Sequence, residues 1–491
     1  MKQSEESLRN IRIGKLEALK DMGLDPYPAL SRRSHTAAEA GEKFRALVRS
    51  KKRVTLAGRL MSKREHGGLI FAELKDGSSQ MQVLFKKDEI TPKLWDMVAD
   101  LIDIGDFIEA SGFLFLTKRK EKTLMVKKFT LLAKALRPLP EKWHGLTDHE
   151  TRFRQRYLDL LMNPEVKERF IIQHKLVQAL RGFLVERGFI EVETPALQPL
   201  PGGALATPFK TRYDALNTDV YLRIAPELYL KRLIIGGFER VFEFARVFRN
   251  EGVSTQHLQD FTMLEFYQAY ATHEDLMKLT EGMLGGVVKK IFGSTRVQYG
   301  GRTINFATPW PVKSLRELIK KETGVDIDEY NTAHALQKAI QGAKIRLTYK
   351  GRAGRGKLID ELYKETVRPK LTSPVFVIDH PLDISPLAKR QVKSPQKVQR
   401  FQLVVAGMEV VNAFSELNDP LDQRERFREQ AQERRAGDKE AHSMDEDFVK
   451  ALEYGMPPTA GWGMGVERLV AILTDADSIR EAVLFPFVKS R

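Results

Sequence analysis

The pattern of hydrophobic and polar positions changes character along the chain. Residues 5 to 23 carry apolar side chains at near-helical spacing, which predicts a short helix ended by Gly23. From Val54 to about Leu132 the pattern becomes five brief β-prone runs separated by glycine or charged turns: VTLAGRLM, LIFAELKDG, MQVLFKK, FIEASGFLFLT and TLMVKKFTLL. Asn163 and Pro164 then read as the N-cap and first residue of a helix with one apolar face, formed by Phe170, Val177, Leu180 and Leu184.

These changes divide the chain into four predicted regions. Residues 1–50 form an N-terminal helical segment, and residues 51–137 form a five-stranded barrel that matches the OB-fold, whose surface commonly binds single-stranded nucleic acid. Residues 138–160, with prolines at 138 and 140, are predicted to be a linker. Strands and helices then alternate, so residues 161–491 are predicted to be one large α+β domain with an insertion at about 273–400.

Composition narrows the function classes. Eighty basic against 65 acidic residues give a net charge of +15, which favours a polyanionic partner, with a solubilising surface as the alternative. The sequence contains no cysteine, which excludes disulfides, thiolate metal sites and a cysteine nucleophile. The N-terminus lacks the apolar core of a signal peptide and no window is apolar enough for a membrane span, so we expect a cytoplasmic protein with no membrane partner.

Two hydrophobic runs in the second half of the chain contain charged residues that the packing of an apolar core does not require. RVFEFARVFRNEG places Arg249 and Glu251 where a strand leaves the core for a loop, and an arginine there calls for an anionic partner. FTMLEFYQAY alternates strictly, so one strand face is predicted to carry Phe261, Met263, Glu265 and Tyr267. A carboxylate among aromatic side chains is costly to bury unless a cation from the protein or a ligand pairs with it.

A third run, TAGWGMGVERLVAILT, puts three glycines before a helix that opens with Glu467 and Arg468. Glycine lets a ligand approach the backbone, and an arginine at a helix N-terminus suits a phosphate. Tight strand-to-helix packing explains the glycines equally well from this run alone.

Together these runs resemble, in the right order, the three signature motifs of class II aminoacyl-tRNA synthetases. GFIEVETP, FRNEG with His257 and Phe261, and GMGVER resemble the first, second and third motifs. The segments PGGA, APELYLKR, SPLAKR and NAFSELND are similar to those of the bacterial lysyl branch, and the similarity covers nearly the whole chain. The resemblance implies an antiparallel-sheet catalytic domain that activates L-lysine with ATP and transfers it to tRNA(Lys), and a homodimer built on the first motif.

The resemblance also implies roles for individual residues. Arg249 is expected to hold the lysine carboxylate and the α-phosphate of ATP, while Arg468 and His257 reach the γ-phosphate; Arg249 and Arg468 are therefore the catalytic pair. Glu251 is expected to bind the adenine and Phe261 to stack beneath it. For lysine, the implied set is Arg249 with Gly203, Glu227, Glu265, Tyr267, Asn412, Phe414 and Glu416.

Strand parity and charge agree with the lysine pocket. Asn412, Phe414 and Glu416 share one face by parity, and two carboxylates suit one buried ammonium group. An acidic pocket repels aspartate, which separates the lysyl branch from its aspartyl and asparaginyl relatives.

In the barrel, the resemblance implies that Phe71 and Gln82 bind the anticodon by stacking on and reading unpaired bases. Phe71 lies within an apolar run, so a position in the barrel core is an equal alternative from the residues alone.

The sequence departs from the family pattern at several positions. Of two carboxylates that usually hold Mg²⁺, Glu409 is present, while Gln402 stands at the second position. Glu409 and Glu416 have opposite parity, which requires a bulge between them. The second motif reads HLQDF, with Asp260 in place of glutamate, which predicts an altered loop.

Two alternative functions are weighed against tRNA charging. Relatives that lysylate a protein resemble the catalytic domain but lack the barrel, which is present here. A catalytically silent RNA-binding paralogue is disfavoured because Arg249 and Arg468 are both retained.

Overall fold

The computed structural model describes residues 4–140, 146–252, 254–348, 354–435 and 443–489. The chain forms two compact units, Met1–Thr147 and Asp148–Arg491. The predicted linker at 138–160 lies partly outside the described residues, and its described part contains two short helices, α5 (His149–Arg154) and α6 (Arg156–Met162).

The first unit begins with helices and continues as a barrel. Its helices are α1 (Glu5–Asp21), α2 (Ala37–Glu42), α3 (Phe44–Ser50) and α4 (Pro92–Asp96). Its strands are β1 (Val54–His66), β2 (Leu69–Lys75), β3 (Gln80–Lys86), β4 (Phe107–Leu116) and β5 (Lys122–Ala133). They close in the order β1-β2-β3-β5-β4, so the predicted five-stranded barrel is confirmed.

Alternation sets which side of each barrel strand is buried. Ile70, Ala72 and Leu74 on β2 face the apolar core, as do Met81, Val83 and Phe85 on β3. At one position the strands approach so closely that only glycine fits, because a Cβ on Gly112 would lie 1.8 Å from the carbonyl oxygen of Met125.

The second unit is built on an eight-stranded sheet of the described residues, in the order β14-β15-β16-β17-β18-β11-β10-β6. Adjacent strands from β15 to β10 pair antiparallel, whereas both edge strands pair parallel to their neighbours. The strands of the sheet are β6 (Ile190–Glu191), β10 (Arg240–Phe248), β11 (Asp260–Ala269), β14 (Val312–Ser314), β15 (Val375–Ile378), β16 (Arg400–Val405), β17 (Met408–Ser415) and β18 (Thr459–Gly465).

Two smaller sheets accompany it, formed by β7 (Leu197–Gln198), β8 (Lys210–Tyr213) and β9 (Thr218–Leu222), and by β12 (Arg296–Tyr299) with β13 (Arg302–Asn305). The helices are α7 (Pro164–Val185), α8 (Glu227–Ile235), α9 (His273–Thr280), α10 (Gly286–Phe292), α11 (Leu315–Thr323), α12 (Ala333–Gly342), α13 (Arg355–Thr366), α14 (Pro420–Arg435), α15 (Glu446–Glu453) and α16 (Val466–Leu473). Among the helices that the structure describes, none has the length and apolar character needed to cross a membrane.

One face of the large sheet packs on helices and the other remains open for a site. Apolar side chains of α7, α9, α10 and α16 form a single core with one face of the sheet, including Phe266, Leu403 and Trp462. The opposite face carries the alternate residues of β11, β17 and β18.

Helix α7 begins at Pro164 as predicted, with two differences in detail. The side chain of Asn163 does not cap the helix, because its Nδ2 donates to Asp159 Oδ1 at 2.7 Å. The buried face runs through Leu176, Leu180 and Leu184, whereas the predicted members Phe170 and Val177 are only partly buried.

The predicted insertion at about 273–400 is not a separate unit, because part of it belongs to the catalytic sheet and to the core beneath that sheet. It supplies α9 and α10 to the main core and β14 and β15 to the sheet. Between those strands, α11, α12 and α13 enclose a separate apolar core. The boundaries of the predicted domains stay predictions.

Candidate active site

The open face of the large sheet holds a cavity of about 290 Å³. It is lined by nearly all the predicted catalytic-domain residues: Gly203, Glu227, Arg249, Glu251, His257, Phe261, Glu265, Tyr267, Glu409, Asn412, Phe414 and Arg468. Glu416 and Gln402 are not part of this lining.

Strand β11 positions one row of the site. The predicted alternation is confirmed, since Phe261, Met263, Glu265 and Tyr267 all line the cavity. The neighbouring residues Leu264 and Phe266 are fully buried in the core on the other face. A shift of one residue in register would exchange these two sets, so the core fixes the direction of the site residues.

Two arginines approach the cavity from different elements. Arg249 follows the end of β10, donates from Nε to the carbonyl of Ile224 at 3.3 Å, and lies 5.1 Å from the ring centre of Phe261. Arg468, in the first turn of α16, donates from Nη1 to the carbonyl of Glu409 at 2.8 Å. Burial lowers the pKa of both side chains, and Glu409 opposes this shift at each. Two partly buried cations on one cavity suit a polyanionic ligand.

Strand β18 forms the floor of the cavity, and its glycines keep that floor free of side chains. A Cβ on Gly461 would lie 2.1 Å from Glu416 Oε1 and 2.5 Å from Tyr267 Cε1. Gly463 and Gly465 lie on the same face of the strand, below Glu265 and Phe261. At Gly461 the close approach is to side chains on or directly after the neighbouring strands and not to a helix, so strand-to-helix packing does not explain this glycine.

The inner end of the cavity is acidic. Glu227 and Glu265 are both about 5% exposed, and the Tyr267 hydroxyl donates to Glu265 Oε2 at 3.3 Å. Burial raises the pKa of Glu265 well above its ordinary value, and the charge of Glu227 adds to this rise. Gly203, with φ +86°, lies beside Glu227, where a Cβ would come within 2.8 Å of the Glu227 Cβ. Such carboxylates are stabilised by a cationic ligand.

Glu416 is fully buried behind the cavity and is paired with a cation of the protein itself. Its Oε2 contacts the ammonium group of Lys231, which also donates to Glu227 Oε1 at 2.6 Å. Sequence reasoning missed Lys231, although its place four residues after Glu227 on one helix is the spacing of an ion pair.

Arg400, which does line the cavity, is another residue that sequence reasoning missed. Its Nε donates to Asn412 Oδ1 at 2.8 Å, and its Nη1 donates to Ser385 Oγ at 2.8 Å in the SPLAKR segment. Arg400 therefore fixes the amide of Asn412 and joins this segment to the sheet.

The bulge that parity requires lies at Val410. Leu403 of β16 pairs with Val411, and Val404 pairs with Glu409, so Val410 is the additional residue. This places Glu409 on the same face as Asn412, where it lines the cavity. Gln402 Nε2 donates to Glu409 Oε2 at 2.9 Å, while Gln402 Oε1 is buried without a hydrogen-bond partner among the described residues.

The altered second motif is held by ion pairs. Asp260 accepts from Arg246 Nε at 2.9 Å, and Glu467 accepts from the backbone N–H of Thr262 at 2.9 and 3.1 Å. The carboxylate of Asp260 therefore supports the strand that carries Phe261.

In the barrel unit, Phe71 and Gln82 line one cavity of about 910 Å³ together with Arg64, Lys120 and Lys122. Phe71 is partly buried on the outer side of β2, so it does not belong to the barrel core. Gln82 Oε1 accepts from Thr123 Oγ1 at 2.8 Å.

Each of the two units matches the model of a known protein family. Residues 148–489 match the family model described as tRNA synthetases class II (D, K and N), and residues 54–132 match the OB-fold nucleic acid binding domain. The chain therefore belongs to the class II tRNA synthetases.

Similarity to individual proteins shows which branch of this class the chain resembles. The chain is 48% identical over 484 residues to the lysine–tRNA ligase of Pelotomaculum thermopropionicum, covering 99% of this chain and 95% of that protein. It is 47% identical to the lysine–tRNA ligase of Moorella thermoacetica, covering 100% and 99% of the two chains. The Roseiflexus castenholzii lysine–tRNA ligase is 48% identical, covering 99% of each. Within its class, the chain thus groups with the lysine–tRNA ligases.

Proposed function

We propose that the protein is a lysine–tRNA ligase, which activates L-lysine with ATP and transfers it to the 3′ end of tRNA(Lys). The observation that carries the proposal is the pairing of an acidic end, formed by Glu227 and Glu265, with Arg249 in one small cavity. Free lysine has two ammonium groups and one carboxylate, so its charges match this arrangement. The similarity to lysine–tRNA ligases over the whole chain supports the same substrate.

The first step joins the lysine carboxylate to the α-phosphorus of ATP. A carboxylate oxygen attacks phosphorus, the bond to the β-phosphate oxygen breaks, and lysyl-adenylate and pyrophosphate are formed. Arg249 orients the carboxylate and neutralises the α-phosphate, and Arg468 and His257 bind the polyphosphate, so positioning and charge supply the catalysis. Glu251 and Phe261 hold the adenine, Glu251 by hydrogen bonding and Phe261 by stacking on the base.

In the second step, the terminal ribose hydroxyl of the tRNA attacks the carbonyl carbon of the adenylate. AMP leaves, and an ester bond joins lysine to the tRNA. No side chain of the cavity is required as a nucleophile in either step.

Gln402 and Glu409 are suited to hold Mg²⁺, and of these two ligands only the carboxylate of Glu409 is charged. A carboxylate and an amide oxygen are ligands that Mg²⁺ accepts, and the Oε1 of Gln402 has no other partner in the described structure. No group of three or more acidic, histidine or cysteine side chains suited to a metal occurs among the described residues. Mg²⁺ bound there with the ATP phosphates would neutralise charge on the leaving pyrophosphate.

In the barrel, we propose that Phe71 and Gln82 bind anticodon bases of tRNA(Lys). An outward-facing aromatic ring beside Arg64, Lys120 and Lys122 combines a stacking surface with charges for the RNA backbone. The hydroxyl of Thr123 holds Gln82 in a fixed orientation for reading a base edge.

We also propose a homodimer and, because charged tRNA is used by cytoplasmic ribosomes, a cytoplasmic location. Large apolar side chains are exposed around the first motif, including Val185 at 54%, Ile190 at 51% and Leu197 at 53%. Exposed apolar residues concentrated in one segment are typical of an interface. Light scattering of the purified chain tests the dimer, and Ile190→Glu should give the mass of one chain.

Pyrophosphate exchange with each of the twenty amino acids, with and without Mg²⁺, tests the proposed activity. We expect exchange with lysine alone, dependent on Mg²⁺. Exchange with no amino acid would leave the silent RNA-binding alternative, and exchange without charging of tRNA would favour lysylation of another acceptor.

A further inference from the structure

Lys231 is a buried cation at the acidic end of the cavity that the proposed reaction does not use. Its side chain is completely buried, between Glu227 on its own helix and Glu416 after β17. The rings of Phe414 and Phe448 lie 5.7 and 5.8 Å from its ammonium group. Burial lowers the pKa of Lys231, but the two carboxylates outweigh this effect and raise it, so the ammonium group is permanent at neutral pH.

The buried carboxylates at the inner end of the cavity outnumber the single cation that contacts them, and Arg400, which bonds Asn412 and Ser385, acts on Glu227 only through its charge. Three buried carboxylates, Glu227, Glu265 and Glu416, surround the inner end, and the neighbouring Glu243 is already paired with Arg223 at 2.6 Å. Lys231 neutralises one of the three. The two ammonium groups of a lysine substrate neutralise the other two, while its carboxylate goes to Arg249.

Lys231 also opposes protonation of the carboxylates before the substrate arrives. Burial raises the pKa of Glu227 and raises that of Glu416 well above its ordinary value, and at both residues Lys231 opposes the rise. Without this ammonium group, the empty cavity would take up protons. A protonated carboxyl pairs less strongly with an ammonium group, and it accepts a neutral side chain more readily.

We propose that Lys231 is a specificity-determining residue, whose ammonium group bridges and orients Glu227 and Glu416 so that the cavity selects a diamino acid. It acts through these carboxylates and does not touch the reacting atoms. This inference rests on the proposed function, because it assumes that lysine is the amino acid activated.

The test compares the wild type with Lys231→Met, which keeps the length of the side chain and removes its charge. Pyrophosphate exchange is measured with lysine and with norleucine, which has no side-chain ammonium group. We expect the KM for lysine to rise about tenfold or more, the preference for lysine over norleucine to fall by a similar factor, and the KM for ATP to stay unchanged.

The pH profile separates this role from a packing role. In Lys231→Met, lysine must displace protons from Glu227 and Glu416, so its KM should fall with rising pH and level off at a higher pH than in the wild type. Glu265, Tyr267 and Arg400 face the same space and are present in both proteins, so the difference reports on Lys231. Loss of packing alone would leave the profile unshifted.

A matched control is available in the barrel unit. Lys134 is also completely buried between two carboxylates, with Asp103 at 2.6 Å and Asp106 at 2.8 Å. Lys134→Met should lower the melting temperature and leave the lysine preference and its pH profile unchanged. Equal losses of selectivity in both variants would overturn the proposal.

A double variant keeps the test decisive if Lys231→Met does not fold. Glu416→Gln leaves Lys231 with one partner, and its charge then repels the substrate ammonium group. Adding Lys231→Met removes that repulsion, so the double variant should prefer lysine more strongly than Glu416→Gln alone. A weaker preference would overturn the proposal, as would a Lys231→Met protein with wild-type KM and pH profile. Wild-type protein that activates no lysine would instead refute the proposed function.

Discussion

The two cavities differ in how their charges are held. In the catalytic unit, Glu227 and Glu265 are about 95% buried, and their arrangement is completed only by a ligand. In the barrel, Phe71 and Gln82 are partly exposed, beside basic side chains that water can also solvate. Buried charges without water discriminate strongly between ligands, whereas an exposed stacking surface contributes affinity in small increments.

The largest effect should come from neutralising a buried carboxylate. Glu265→Gln keeps the shape of the side chain and removes the charge that faces the side-chain ammonium group of lysine. Breaking one such pair costs about 2–5 kcal/mol, so kcat/KM for lysine should fall roughly 100-fold in pyrophosphate exchange. An activity within threefold of the wild type would place the ammonium group elsewhere.

Gly461→Ala should have a smaller but clear effect on the same cavity. Its Cβ would collide with Glu416 and Tyr267, and overpacking of this kind costs about 1–3 kcal/mol. We expect the KM for lysine to rise about tenfold and the KM for ATP to change less. Gly286→Ala is the control, since nothing lies within 4 Å of its Cβ position.

The substitution Phe71→Ala tests the contribution of the barrel cavity, which should affect tRNA binding and not lysine activation. Loss of one stacked base costs about 1–3 kcal/mol, so the KM for tRNA(Lys) should rise roughly tenfold while pyrophosphate exchange stays unchanged. Phe113, 37% exposed on β4 outside the cavity, provides the control Phe113→Ala. Equal charging by both variants, or an unchanged response to anticodon changes, would remove Phe71 from the RNA site.

The smallest effect expected is a difference in pH dependence. Glu265 binds an ammonium group only when ionised, and burial raises its pKa well above the ordinary value. The empty cavity therefore becomes protonated at a higher pH than an exposed carboxyl, and the KM for lysine should rise severalfold as the pH falls through the range in which Glu265 is protonated. The KM for tRNA should not follow this rise. A flat lysine profile would mean that Glu265 stays ionised in the empty cavity.

The local sequence pattern was sufficient to predict the position of a residue where that position depends on strand alternation. The barrel strands and the cavity face of β11 follow from period-two alternation, and the site position of Arg249 follows from the end of β10. Parity also showed that a bulge must separate Glu409 from Glu416.

Strand alternation in the sequence could not predict contacts between segments that are distant along the chain. The pair between Lys231 and Glu416 joins a helix to a strand end far along the chain, and only the folded sheet brings them together. The position of the bulge depends on the register between β16 and β17, which alternation does not determine. The same holds for Arg400, which reads as a surface charge until Asn412 is placed beside it.

The extra residue at Val410 has a consequence for how this strand tolerates length changes during evolution. It lies between Glu409, on the nucleotide side, and Asn412, on the amino-acid side, and it keeps both on the same face. Deletion of Val410 would remove the bulge and leave Glu409 and Asn412 on the same face, whereas deletion of Ala413 would turn one half of the active site into the core. Outside the bulge, an insertion or deletion in β17 should therefore be rarer than in the β12–β13 hairpin, whose residues do not line the cavity.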